Sequence, residues 1–117
     1  MADKQVVKYF DIDVTSGATL SSALDLRQGW SDVSLKIPSF SSASDIFIHG
    51  AIASNGTYVR VMHPPINSAT AAVSDFKIAS GISGRIIPIP STYQHIKIEL
   101  STGQTDVTST FHVICKS

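Results

Sequence analysis

The stretch Asp45–Val61, DIFIHGAIASNGTYVRV, decides the fold. It holds two runs of alternating apolar residues separated by Asn55-Gly56, a pair that tolerates the positive φ angles of a tight type I′ turn. Ile46, Ile48, Gly50 and Ile52 point one way, and Phe47, His49 and Ala51 the other. After the turn, Val59 and Val61 extend the inward face. Period two with an Asn-Gly break predicts a β-hairpin.

The same grammar runs outward in both directions. Val6, Lys8, Phe10, Ile12 and Val14 alternate with Val7, Tyr9, Asp11 and Asp13, which predicts a long first strand broken at Thr15-Ser16-Gly17. Leu20, Ser22, Leu24 and Leu26 share one face of a second strand over Thr19–Leu26. A turn at Arg27–Asp32 carries Gly29 and Trp30. Val33, Leu35 and Ile37 make a third strand ended by Pro38, and a Ser-rich loop around Phe40 precedes the hairpin. Val73, Phe76 and Ile78 mark a further strand, and Ala69–Ala72 allows one helical turn. Ile86, Ile87 and Ile89, among Pro88 and Pro90, read as an edge segment. Ile96, Ile98 and Leu100, then Phe111, Val113 and Cys115, close the chain. Eight or nine short strands at intervals of about ten residues predict an all-β antiparallel sandwich, jelly-roll-like, as a single domain over 1–117. The pattern leaves the strand order, jelly roll or immunoglobulin-like Greek key, open.

Composition narrows the function classes. Charged residues make up 15% of the chain and apolar residues 43%. A free-standing domain carries about 25% charged residues, so Ser and Thr here replace ions on a surface that neighbours can cover at low desolvation cost. Nine acidic and nine basic residues are scattered without a run, which removes the electrostatic footprint of a nucleic-acid binder. No apolar run is long enough for a membrane-spanning helix, and MADKQVVKYF lacks the pattern of a signal peptide. Cys115 is the only cysteine and is expected to be a small buried hydrophobe in a protein made in a reducing cytoplasm.

No catalytic or cofactor motif emerges. His49, His63, His95 and His112 fall on separate elements without metal-ligand spacing, and the reading is of exposed or interface histidines. Asp11 and Asp13 share a strand face but lack the rest of a calcium loop, so a solvated face is expected. Glu99 is the only glutamate, no G-x-S-x-G elbow occurs, and Gly81–Gly84 is too short for a phosphate loop. The expectation is no enzyme, no cofactor, no metal and no small-molecule substrate. Trp30, Phe40, Tyr58 and Tyr93 lie near loops, where they either plug the ends of the sandwich or stack on sugar rings.

Thr15–Leu26 (TSGATLSSALDL), Val33–Pro38 (VSLKIP), Asn55-Gly56-Thr57-Tyr58, Ile87–Pro90 (IPIP) and Tyr93–Ile98 (YQHIKI) together resemble small β-sandwich virion proteins of tailed bacteriophages. The chain departs from that pattern at Phe40, where tryptophan is common, at His49-Gly50-Ala51, and in the Pro-rich segment from His63 to Ile66. The resemblance implies a structural protein of the phage particle. Within that class it is similar to capsid decoration, or cement, proteins, which bind the major capsid protein on the outer surface of the virion. It further implies a homo-oligomer, by default a homotrimer. Candidate partner contacts are the lead-in Met1, Ala2, Asp3, Lys4 and Gln5, with Trp30, Phe40, His63, Pro64 and Pro65. Two other roles stay open at this point: a carbohydrate-binding module of a head or tail fibre, and a neck or tail adaptor.

Overall fold

A computed structural model of the chain describes residues 6–51, 56–63, 74–81, 83–90, 93–105 and 107–117. Their regular structure is entirely strand: β1 (Val7–Val14), β2 (Leu24–Asp25), β3 (Asp32–Lys36), β4 (Ile46–Ala51), β5 (Val59–Arg60), β6 (Met62–His63), β7 (Ser74–Asp75), β8 (Lys77–Ile78), β9 (Ile86–Ile89), β10 (His95–Leu100) and β11 (Ser109–Lys116). Nine of them form two antiparallel sheets. One has the order β1-β11-β3-β9; the other has β2-β10-β4-β5, with β8 sharing the free side of β4 with β5. β6 and β7 pair with each other.

The pairing has a simple logic. β1 pairs β11, β2 pairs β10, β3 pairs β9 and β4 pairs β8, all antiparallel. The chain is thus one long hairpin whose arms are rolled across two sheets, with β11 against β3 and β10 against β4 closing the layers. That is the winding of a jelly roll, which resolves the strand order that the residues alone left open.

Inward side chains of both sheets fuse into one core. Ile12, Val14, Val33, Leu35, Phe111, Val113 and Cys115 come from the first sheet, and Ile46, Ile48, Ile78, Ile96, Ile98 and Leu100 from the second. Each alternates with a more exposed neighbour, as period two requires. Pro88 lies on β9, which pairs only with β3, so its missing N–H faces no ladder, as expected of an edge. Gly17, at φ +80°, occupies the left-handed conformation that breaks the chain after β1.

Three local expectations are corrected. The hairpin is present, but Gly50 pairs with Val59 rather than with the Val61 partner that a tight turn at Asn55-Gly56 requires. The shift is even, so every side chain keeps its face. Val61 accordingly donates its N–H to Ile48 O and is buried, while Val59 is 54% exposed beyond the edge of the core. Thr19–Leu26 does not run as one strand: only Leu24–Asp25 and a bridge from Leu20 to Glu99 follow β10. Between them Ser21 turns inward, its N–H donating to Ile98 O and its Oγ accepting the Ile98 N–H, so a hydroxyl replaces a ladder carbonyl and Leu20 is pushed outward. Finally, the inward face of β1 does not reach the core at its start: Val6 and Lys8 are exposed, and burial sets in only from Phe10, while Val7 and Tyr9 lie on the outward face as the alternation requires. The Ala69–Ala72 segment, Val73 and Asn55 lie outside the described residues.

Candidate functional site

The two sheets present outer faces of different character. On the second sheet, cross-strand register places Lys77, Phe47 and Glu99 in one row and Arg60, His49 and Lys97 in the next. Arg60 reaches diagonally over the Phe47 ring, 4.0 Å from its centroid, and clamps Glu99 with two bonds, Nε to Oε1 at 3.0 Å and the terminal nitrogen to Oε2 at 2.7 Å. His49 Nε2 closes on the same Oε1 at 2.6 Å. Lys97 lies over the Tyr58 ring at 4.5 Å. The forked bond from Arg60 holds the Glu99 carboxyl down at about 2, against the opposing effect of partial burial and with help from His49. A planar guanidinium suits this site because it can stack on a ring and grip a carboxylate together.

Further along the same face Asp25 accepts from Gln94 Nε2 and the Arg27 N–H, which lower its pKa in that order of weight. His95 stands opposite Asp25 and is buried rather than exposed, which corrects the expectation for that histidine. The Tyr93 ring covers the Gly50 backbone.

On the first sheet, Asp11 takes His112 Nδ1 at 2.6 Å and Asp13 accepts from the Thr110 hydroxyl at 2.7 Å, both in solvent. Among the described residues no group of three or more acidic, His or Cys side chains gathers as a metal site. A shallow depression of about 230 Å³, lined by residues including Ser34, Pro88, Ile114 and Lys116, opens on the outer face where β3, β9 and β11 meet.

The candidate contacts do not assemble into one patch. Trp30 is only 8% exposed and its Nε1 donates to Leu26 O at 2.8 Å, so it is a core plug. Phe40 packs on the core with its ring 6.1 Å from that of Phe111. Tyr93 packs against the core as well, so three of the four loop aromatics offered as sugar platforms are drawn inward. Of His63, the backbone pairing with Ser74 is described. Met1, Ala2, Asp3, Lys4, Gln5, Pro64 and Pro65 lie outside the described residues. Reading the sequence missed the Arg60–Glu99–His49 cluster. The signal available was one lone glutamate on a strand face, with His49 at matching parity on the neighbouring β4 and Arg60 on β5, the strand beyond it.

No family model matches the sequence, and no curated protein matches it. The solved structures give a fold match: the crystal structure of SPBc2 prophage-derived protein YomS superposes with a TM-score of 0.65 at 12% identity, covering 100% of this chain and 98% of that one. The two chains share a fold over their whole lengths.

Proposed function

We propose that this chain is a structural protein of a phage virion, and within that class a decoration protein that binds and braces the outer capsid shell. The observation that carries the reading is the full-length fold match to a prophage-derived protein, which agrees with the resemblance of the Thr15–Leu26 and Tyr93–Ile98 segments to small virion proteins. A β-sandwich with two broad outer faces and few charges suits docking against repeated subunits. Each contact can be modest, because many copies on one shell act together.

The test is binding of the purified chain to expanded capsids. Saturable binding, with a rise in the temperature at which particles release their DNA, is expected. Absence of binding to expanded shells overturns the decoration role. Copy number per particle separates it from a neck or tail adaptor, since a ring holds about six to twelve copies and a decorated shell holds hundreds.

A further inference from the structure

The edges of the two sheets are unequal. The second sheet ends in β2 on one side and in β5 and β8 on the other, each of two residues, while β9 is four residues long and carries Pro88. Edges so short or so interrupted offer little template to another strand. β1 is different. It runs for eight residues without proline or glycine, and its register with β11 is unbroken from end to end, so no bulge turns it away. Among the described residues β11 is its only neighbour in the sheet. Ser117 donates its N–H to Val6 O, so the even-numbered residues of this strand are the ones that bond β11. The N–H and C=O groups of Val7, Tyr9, Asp11 and Asp13 therefore point away from the sheet, and none has a partner among the described residues. The side chains of all four are exposed as well.

We propose that this edge pairs with the same edge of a second copy, β1 antiparallel to β1, about a twofold axis that stands perpendicular to the sheet at Phe10. Tyr9 of each copy then pairs with Asp11 of the other, and Val7 with Asp13. Every open N–H and carbonyl of both strands finds a partner, in about eight hydrogen bonds. The pairing joins odd positions to odd, so the inward face of one strand continues that of the other. Phe10, half-buried at the rim of the core, meets its own counterpart, and Lys8 comes beside Ile12 with its stem on apolar surface.

The strand is its own complement in two respects. Lys8 sits toward one end of β1 and Asp11 and Asp13 toward the other, so the half-turn sets no like charges opposite each other. Centring the axis on Asp11 would oppose that carboxylate to itself, and centring it on Tyr9 would leave Asp13 beyond the end of the partner's β1. Both strands are also already ordered within a sheet, so pairing them costs little conformational entropy. A loose segment of another protein would first have to be straightened and held. The proposal does not depend on the virion reading, and it replaces the threefold association that the resemblance implied with a twofold one.

Sedimentation equilibrium of the full chain, from about 1 to about 500 μM, should show a reversible monomer–dimer equilibrium with Kd of about 10–100 μM. Amide hydrogen exchange, followed residue by residue in samples below and above Kd, reads the edge itself. The amides of Tyr9, Asp11 and Asp13 should slow at least about threefold as the dimer forms, while those of Phe10 and Ile12, bonded to β11, are slow in both samples. Tyr9→Pro removes one open N–H and leaves the β11 ladder its donors, as Pro88 does on β9. It should raise Kd more than about tenfold, with the unfolding midpoint in urea confirming that the variant is folded. A chain that is monomeric throughout leaves the edge to a strand of another protein and overturns the proposal. So does a trimer, a dimer whose edge amides stay in rapid exchange, or a dimer indifferent to Tyr9→Pro.

Discussion

The side chain of Tyr93 packs against Gly50, and that contact occupies the space in which any other residue at position 50 would place its side chain. A Cβ built on Gly50 collides with the Tyr93 ring root and its Cβ, neither of which can swing away as a flexible tip would. Gly50 is held on both sides, by Ile96 of β10 and Val59 of β5. The strand therefore cannot retreat. A glycine inside a strand costs conformational entropy, and an aromatic laid over it restores the lost burial. Gly50→Ala is expected to destabilise the fold by about 1–3 kcal/mol by overpacking. In urea unfolding, adding Tyr93→Ala should then cost less than it does in the parent, because the collision is gone.

The Glu99 cluster gives the fold a defined acid response. Its carboxyl titrates at about 2 in the folded protein, against an ordinary value near 4.5, chiefly because Arg60 grips the ionised form. On acidification the unfolded chain takes up this proton first. The stabilisation is therefore complete above about pH 4.5 and drains away as the pH falls toward about 2. Glu99 is 22% exposed and Arg60 39%, so solvent screening trims the effect to about 2 kcal/mol. Denaturant titrations across that range should show Glu99→Gln less stable than the parent at neutral pH, with the gap closing in acid. A gap that stays constant with pH would sink this account.

Gln104 is a buried amide with every atom engaged. Its Oε1 accepts from Ser41 Oγ and the Ser42 N–H, its Nε2 donates to Ser42 O and Thr102 O, and its own carbonyl accepts the Gly17 N–H. Three connections, the turn after β1, the Ser-rich loop before β4 and the turn after β10, are tied to this one residue. Gln104→Glu keeps the shape but turns a donor into an acceptor facing two carbonyls. We expect a loss of about 2–4 kcal/mol at neutral pH, by thermal or urea unfolding, shrinking relative to the parent as acid protonates the new carboxyl.

What could be read from the residues alone was whatever repeats with period two. Ile46, Ile48 and Gly50, Ile96, Ile98 and Leu100, and Phe111, Val113 and Cys115 all point inward as the alternation requires. The misreadings occur where a polar side chain takes over a backbone role or a register slips. Ser21 replaces a carbonyl in the ladder of Ile98, and no apolar pattern records that. The β4–β5 pairing slips by two residues, which leaves the alternation unchanged and so invisible. Arg60 and Glu99 are 39 residues apart and meet only because β4 lies between their strands.

Cys115 supplies a probe of opening. It is fully buried in the last strand between the sheets, and burial pushes its thiol up to about 11. Both the low thiolate fraction and the lack of access protect it. A disulfide reagent at mildly alkaline pH should label the native protein only through unfolding, at a rate that rises with urea in step with the global transition. Rapid labelling of the folded chain would place β11 outside the core.

Trp30 decides how mutational tests of sugar binding should be read. It is the only tryptophan, it is 8% exposed, and its indole N–H is spent on Leu26 O. Trp30→Ala removes a large core side chain and leaves that carbonyl without its donor, at an expected cost of about 3–5 kcal/mol. A loss of glycan binding in that variant would then report unfolding rather than a missing stacking platform. Tyr58→Ala is the sound comparison, since Tyr58 lies on the outer face under Lys97. Emission of Trp30 should be blue-shifted in the native state and move red in one step with urea. A native spectrum matching that of free tryptophan would return the indole to the surface and reopen the sugar-binding reading.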